Sequence, residues 1–524
     1  MRIFLNFLNE LYYTYKFSDH IKQIFNSKNK KLSKKIILVE TNRLYGSHIG
    51  YAYLCNKLRE KYSSKIYMIK TNFFNNGVEK ILHLLALKLN LLHYRIYRSF
   101  CSNFFLYYKK KNNDFSKYKK YLKKINTKND LQNFKIDGIL YGDLIYDSYL
   151  REKFKYTINL NDNDFIKFFY KSIDYYFYCK GLFERYDIKA VILSHTVYIP
   201  AILGRIALHK KKLFYCLAGS NCVNLSKDYF YIDNYKLYKK LFLKLPKKIQ
   251  NEKIKFAKNN LNKRLRGKAG IGLSTLDHSA FLGEKNTNLI KDNNKIKIFV
   301  ASHCFSDSPH VFGNFFFNDY YDWLEHLGNI SQKTNYDWYI KPHPSIKFKK
   351  QNIEVIKEFV KKYNKFNIIN SNLSHFSYMD KIDYTLTIHG RISEEFALFN
   401  KIVINASKNA KFSYYRYNIN PKSKSEYTKY LMNLKKNRKI KINKKEIYLS
   451  HYVTQFYNGE EYLINHNKIL NKLGKNPNSV KFLKYWIKNF NIKNHNKINK
   501  TMSNFIEITN REKKFLKINT LKKV

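Results

Sequence analysis

Twice along the chain a short apolar run, led in by lysine, gives way to a polar loop and then to a segment of helical length, and no other feature restricts the fold as much. Lys34 and Lys35 lead into Ile36-Ile37-Leu38-Val39, closed by Glu40-Thr41-Asn42; a loop with Gly46 and Gly50, a helix over 51–61 and a second β-like run over 65–69 follow. Lys295 leads into Ile296-Lys297-Ile298-Phe299-Val300-Ala301, then a polar loop and a helix over 320–330. Short buried runs spaced by helix-length segments point to parallel βαβ units, because a parallel strand pair needs a long crossover. The rest of each half keeps the rhythm. Strands over 190–193 and 213–216 flank a helix over 199–209, and strands over 336–340, 366–369, 384–388 and 402–404 alternate with helices over 353–363 and 394–399. The sequence therefore predicts an α/β protein of two Rossmann-like, doubly wound domains facing a cleft.

The length of 524 residues suits two or three domains. The pattern sets an N-terminal Rossmann-like domain at 1–260 and an inter-domain region at 261–294, marked by Gly267, Gly270, Gly272 and Gly283. A C-terminal Rossmann-like domain follows at 295–420. A lysine-rich helical C-terminal extension, with Phe482, Tyr485, Trp486 and Phe490 at helical spacing, occupies 421–524 and is expected to pack on the α/β core and fray at its end. A hydrophobic fraction of 44% excludes a disordered polybasic chain. The net charge of +59, from 98 Lys+Arg against 39 Asp+Glu, is mostly lysine and comes with residues of A/T-rich codons, so much of it reflects genome composition. What remains physical is long-range attraction to nucleotides and anionic lipid head groups. With no RNP or zinc-finger pattern, a specific nucleic-acid partner is not expected. Six separated cysteines without a CxxC pair read as a reduced protein. No apolar run reaches membrane-spanning length, and 81–94 reads as a buried or interfacial amphipathic helix. Without a signal peptide, the expected place is the cytoplasm, with peripheral contact at the inner face of an anionic membrane.

In open α/β sheets ligands bind beyond the carboxyl ends of the strands, so ionisable residues that end apolar runs are the candidates. Trp338-Tyr339-Ile340 runs into Lys341-Pro342-His343-Pro344-Ser345, where two prolines fix the backbone around a Lys and a His suited to phosphate. The bland alternative is a proline-rich turn with solvated ends. A second strand ends at His389-Gly390-Arg391-Ile392-Ser393-Glu394-Glu395. Gly390 permits close approach of a ligand, Arg391 offers a bidentate grip, and the helix beginning near Ser393 presents free amides. Glu395 reads either as compensation of the helix dipole or as a partner for ribose hydroxyls. The loop Ser302-His303-Cys304-Phe305-Ser306-Asp307-Ser308-Pro309-His310 supplies His303 and Asp307 to the cleft; no second ligand cluster accompanies it, so no metal is expected. In the first half Gly142-Asp143 and Ser194-His195 also end apolar runs, making Asp143 and His195 candidate general bases, with His48 a weaker one.

Taken together, two Rossmann-like halves, the KPHP turn and the HGR turn before a helix resemble the GT-B class of sugar-nucleotide glycosyltransferases. More narrowly, the chain is similar to capsule and surface-polysaccharide transferases, related in pattern to sialyl- and Kdo-transferring enzymes and to CDP-glycerol glycerophosphotransferases. The resemblance implies that His343 and Pro344 form the HP pair on the donor phosphate, and that His389, Gly390 and Arg391 to Ser393 form the turn on the nucleotide. The paired serines several of those families show are missing here. It further implies a base from the N-terminal domain, Asp143 or His195. A metal-independent glycosyltransferase is expected, taking a CMP- or UDP-linked sugar, with no separate cofactor, to a glycan or lipid-linked glycan of a capsular or surface polysaccharide. The rivals are a CDP-polyol phosphotransferase and a basic nucleic-acid binder. The segment GDLIYDSYLR at 142–151 also looks like one found in proteins of polysaccharide clusters.

Overall fold

The computed structural model describes residues 2–25, 32–71, 77–107, 115–219, 221–267, 279–284, 289–436, 438, 440–455 and 479–518. Gly270, Gly272 and the extreme C-terminal end, 519–524, lie outside the described residues. In the first half the strands are β1 (Ile36–Glu40), β2 (Lys65–Lys70), β3 (Asn103–Leu106), the short hairpin β4 (Lys135–Ile136) and β5 (Ile139–Leu140), β6 (Ile188–Leu193), β7 (Leu213–Ala218) and β8 (Asn221–Asn224). In the second they are β9 (Lys297–Ala301), β10 (Asp337–Lys341), β11 (Phe366–Ile368), β12 (Tyr384–Thr387) and β13 (Ile402–Asn405), and near the C-terminus β14 (Leu516–Lys517).

The first sheet has seven strands in the order β14-β8-β7-β6-β1-β2-β3 and the second five in the order β11-β10-β9-β12-β13. Within β7-β6-β1-β2-β3 and throughout the second sheet every pairing is parallel. Both halves are thus doubly wound, and the winding reverses between β1 and β6 in one and between β9 and β12 in the other. The apolar runs are continuous because both faces are covered. Ile37 and Val39 pack against Tyr51, Leu54 and Leu58 of helix Tyr45–Tyr62. Ile36 and Leu38 pack on the opposite face against Ile173 and Tyr176 of helix Asn163–Arg185. In the second half Ile298 and Val300 meet Trp323 and Leu327 of helix Tyr320–Gln332, while Phe299 turns to Tyr378 and Phe396.

Two boundaries differ from the sequence reading. Helix Tyr45–Tyr62 begins six residues earlier than predicted, so Gly46 and Gly50 are buried in the helix and the loop shrinks to 41–44. Helix Lys247–Leu265, assigned by sequence to the first half up to residue 260, packs Leu261 and Leu265 against Tyr452 and Val453 of helix Lys444–Gln455 in the second. Among the described residues the C-terminal extension is helical and packs on the α/β core, as expected, with one short strand near its end. Its helices Lys481–Lys488 and Ile492–Glu512 return to the first half, where Phe482, Trp486, Met502 and Phe505 join the core around Tyr53, and β14 then pairs antiparallel with β8.

Candidate active site

At the reversal of the second sheet, β9, β10 and β12 deliver their carboxyl ends to one cavity of ≈ 140 Å³. Lys341, Pro342, His343 and Pro344 line one side; Thr387, Gly390, Arg391 and Glu395 line the other, with His303 between them. Sequence singled out His303, Lys341, His343, Gly390, Arg391 and Glu395 separately, and the fold brings them together. A Cβ on Gly390 would lie 2.7 Å from Thr387 Oγ1, which accepts the Gly390 N–H at 3.2 Å, so a larger residue there would displace the Thr387 hydroxyl from the turn. The Ile388 N–H donates to His303 Nε2 at 3.1 Å, which places the His303 proton on Nδ1. His389 stands against the His303 ring, 4.7 Å between centroids, and meets the Tyr320 hydroxyl through Nε2 at 3.0 Å.

The electrostatics of this cavity are those of cations and neutral imidazoles held out of water. Burial lowers Lys341 to about 8, and its ammonium donates to the Leu373 carbonyl at 2.5 Å. Burial also lowers Arg391, and it lowers His343 to about 4 and His389 to about 3, so both imidazoles are neutral at neutral pH. His343 Nδ1 is a buried atom without a hydrogen-bond partner, a group that costs stability until something occupies it. Two further cations escaped the sequence reading. Lys411, in the irregular segment after β13, is lowered to about 7 by burial and by Arg391. Arg264, at the end of helix Lys247–Leu265, donates through Nε to Glu395 at 2.7 Å, so the Glu395 carboxylate is already engaged. Neither carried a signal in sequence, one lying in a loop and the other in a uniformly basic helix.

The reversal of the first sheet lies under a larger cleft of ≈ 580 Å³, lined by Glu40, Asn42, Ser194, His195 and Tyr198 from the first half and by Lys347 from the second. His195 is exposed to it. Its Nδ1 contacts Ser194 Oγ at 2.7 Å, and Ser194 Oγ in turn donates to Glu40 Oε2 at 2.7 Å. The Ser194 N–H and Thr71 hydroxyl also donate to that buried carboxylate, at 2.6 and 2.9 Å. A serine has one proton, and Glu40 takes it, so His195 must donate from Nδ1 and leave Nε2 as a free base. The packed walls of the cleft hold the His195 pKa below its ordinary value, against the attraction of Glu40. Glu40 was legible by the rule applied elsewhere, since it too ends an apolar run.

Other predicted residues have different places. Asp143 is buried in a two-pronged ion pair with Arg205 at 2.6 and 2.7 Å, and a carboxylate committed in this way is not available as a base. His48 is buried with Nε2 on the Asn42 carbonyl, its pKa lowered to about 4 by burial. Ser393 donates into the core, to Asn405 Oδ1 at 2.7 Å, and helix Ile392–Leu398 has only seven residues. Ser345 contacts the Cys304 thiol. Asp307 reaches across the cleft to Arg151 at 3.0 Å and Tyr198 at 2.9 Å, and its charge acts on both His195 and His343.

The segment at 142–151 forms most of helix Gly142–Lys153 and joins the halves. A Cβ on Gly142 would fall 1.6 Å from the Leu131 carbonyl oxygen, so the helix can start there only with glycine. From it Tyr146 donates to Asp319 at 2.5 Å, and Asp147 meets His310 Nδ1 at 2.6 Å, both partners buried. His310 Nε2 faces Gln132 Oε1 at 3.1 Å, so both ring nitrogens donate and the imidazole is a cation. Burial opposes that charge, but Asp147 raises the His310 pKa above its ordinary value; burial pushes Asp147 itself up to about 6. Among the described residues no three His, Cys, Asp or Glu side chains group as a metal site.

No family model and no curated protein matches the chain. Among solved structures it is similar to Thermosulfurimonas dismutans KpsC, a beta Kdo 2,4 transferase, over 51% of this chain and 80% of that one, with 11% identity and a TM-score of 0.32. It is similar also to the UDP-GlcNAc 2-epimerase from Neisseria meningitidis bound to UDP-GlcNAc, over 80% and 98% of the two chains, at 10% identity and a TM-score of 0.20. Anabaena Alr3699/HepE in complex with UDP and glucose is matched over 80% and 93%, at 10% identity and a TM-score of 0.23.

Proposed function

We propose that the protein is a metal-independent glycosyltransferase that moves a sugar from a nucleotide-activated donor, CMP- or UDP-linked, to a hydroxyl of a growing surface or capsular glycan. One observation carries this reading. Each of two doubly wound sheets has a cavity at its reversal point, one lined by Lys341, Arg391 and the unpartnered imidazole of His343, the other by the imidazole base of His195. The donor phosphates occupy the cavity of Lys341, His343 and Arg391, and the acceptor lies against His195. His195 Nε2 takes the proton of the acceptor hydroxyl as its oxygen bonds to the anomeric carbon. The bond from that carbon to the phosphate oxygen breaks, and the nucleotide leaves with the electron pair, its charge met by the cavity cations.

The test is a panel of donors labelled in the transferred group. Label passing from a UDP- or CMP-sugar into glycan, and its loss in His343→Ala with the fold intact by circular dichroism, supports the reading; full transfer by that variant sinks it. Label entering only from CDP-glycerol would replace it with polyol-phosphate transfer. A thermal shift with oligonucleotide but not with mononucleotide would make the protein a nucleic-acid binder.

A further inference from the structure

The exposed apolar side chains of this protein are not scattered. Helix Gly77–Lys88 carries Val78, Ile81, Leu82 and Leu85 at spacings of three, one and three, continued by Leu89, and these five are 48–66% exposed. An amphipathic helix buries that stripe in a globular protein; here the stripe faces out. Helix Arg2–Ile24 does the same with Phe4, Leu5, Leu8, Tyr12 and Tyr15, all exposed. Both helices are moored to helix His93–Arg98 between them. The Ser18 hydroxyl donates to the Arg95 carbonyl at 3.2 Å and the Arg95 guanidinium covers the Tyr15 ring at 4.2 Å, while His83 meets the Tyr94 hydroxyl at 2.8 Å.

Charge says what covers this face. Lys16, Lys22, Lys88 and Arg98 are exposed around the stripes, whereas Glu10 is tied to Arg43 at 2.6 Å and the Glu79 charge acts on the Lys70 ammonium. Leucine and phenylalanine rimmed by cations, with tyrosines at the border, match the boundary between acyl chains and anionic head groups. A second copy of the chain, itself carrying +59, would meet the same rim as repulsion. No described helix is long and apolar enough to cross a membrane, so the contact is one of lying on the surface.

We propose that helices Arg2–Ile24 and Gly77–Lys88 form a docking face for an anionic lipid bilayer. Its position deepens the proposed function, on which this part rests: Glu79, on the polar side of helix Gly77–Lys88, lines the same cleft as His195. A docked protein therefore holds the acceptor side of its cleft beside the membrane, where a glycan built on a lipid carrier presents its hydroxyl.

The full chain is floated with phosphatidylcholine vesicles, with and without phosphatidylglycerol. Binding is expected only with phosphatidylglycerol, and Ile81→Ser/Leu85→Ser or Leu5→Ser/Leu8→Ser lowers partitioning about tenfold each. These side chains are exposed, so melting temperature and the thermal shift given by UDP- or CMP-sugars stay unchanged. Absence of wild-type binding to phosphatidylglycerol vesicles overturns the proposal. Equal partitioning of the variants overturns it too, since bulk lysine charge alone would then suffice. Sedimentation showing a wild-type dimer that the variants dissolve would assign the face to a second copy. Nucleotide-sugar binding without vesicle binding sinks the docking face alone, and vesicle binding without any nucleotide response sinks the function alone.

Discussion

Donor binding should take up a proton at His343. Burial holds this imidazole at about 4, with Nδ1 unpartnered, so it is neutral at pH 6 and above. A phosphate diester brings a permanent negative charge to that nitrogen, which favours the imidazolium. If the bound pKa returns only to the ordinary 6.5, linkage makes the affinity about 30-fold higher at pH 5 than at pH 8, roughly 2 kcal/mol, and about three-quarters of a proton is absorbed per nucleotide at pH 6. Sugar nucleotides are the right probes because their phosphates, being diesters, do not titrate in this range. Calorimetry in two buffers of different ionisation enthalpy reads the proton directly. His343→Gln keeps a neutral donor of similar reach and should bind with an affinity flat from pH 5 to pH 6, where Lys341 and Lys411 are already protonated. A wild-type profile flat between pH 5 and pH 6, or a dependence in that interval that survives in His343→Gln, would refute the assignment of the phosphate to His343.

Three further outcomes follow from the geometry. His195→Ala should lower turnover by about 10² to 10⁴ in a transfer assay, and Ser194→Ala, which frees the ring to rotate while Glu40 keeps its other donors, by about tenfold or more with KM unchanged; Asp143→Asn should instead lower the melting temperature and leave the pH profile of turnover alone. Asp147→Ala leaves a buried His310 cation unpaired and should cost about 3 to 5 kcal/mol in urea unfolding between pH 6 and the raised His310 value, where both partners are charged; the difference should shrink as pH falls through the Asp147 value of about 6 and as it rises through that of His310. His48 has the opposite sign: its depressed pKa gives stability present above 6.5 and lost as pH falls through about 4, so wild-type stability should drop by about 3 kcal/mol from this residue by pH 4 and His48→Gln should remove that share of the slope.

Strands and the fold class were legible because parallel strands buried on both faces are written as short apolar runs, as in 36–39, 190–193, 298–301, 338–340 and 402–404, while β12 alternates its apolar residues with threonine. The start of helix Tyr45–Tyr62 was not, because a glycine in a polar stretch reads as a loop until packing makes it an asset. The C-terminal return to the first sheet was illegible for another reason: Phe482, Trp486 and Phe505 announce a buried face but not which of two cores buries it. The site divides in the same way. Lys341, His343, Gly390 and Arg391 stood at strand ends and converged, whereas Asp143 stood at an equally suggestive place and was spent on Arg205, 62 positions away. Only tertiary contact distinguishes an ionisable residue that meets a cleft from one that meets its counter-ion.

The charge of the chain sorts into two populations by the same criterion. Most lysines are solvated, and each interacts with an anion through water and salt, weakly and without direction. Lys341, Arg391 and Lys411 are largely withdrawn from water, and burial is the main cause of their lowered pKa values, with Arg391 adding to the depression of Lys411. In the proposed reading an anion beside these groups offsets their burial cost and supplies a partner to His343 in one step. The solvated population can bring an anionic ligand or a bilayer close, and it does so for any anion. Selection belongs to the few cations that have no water to compete with, and they sit where the second sheet reverses.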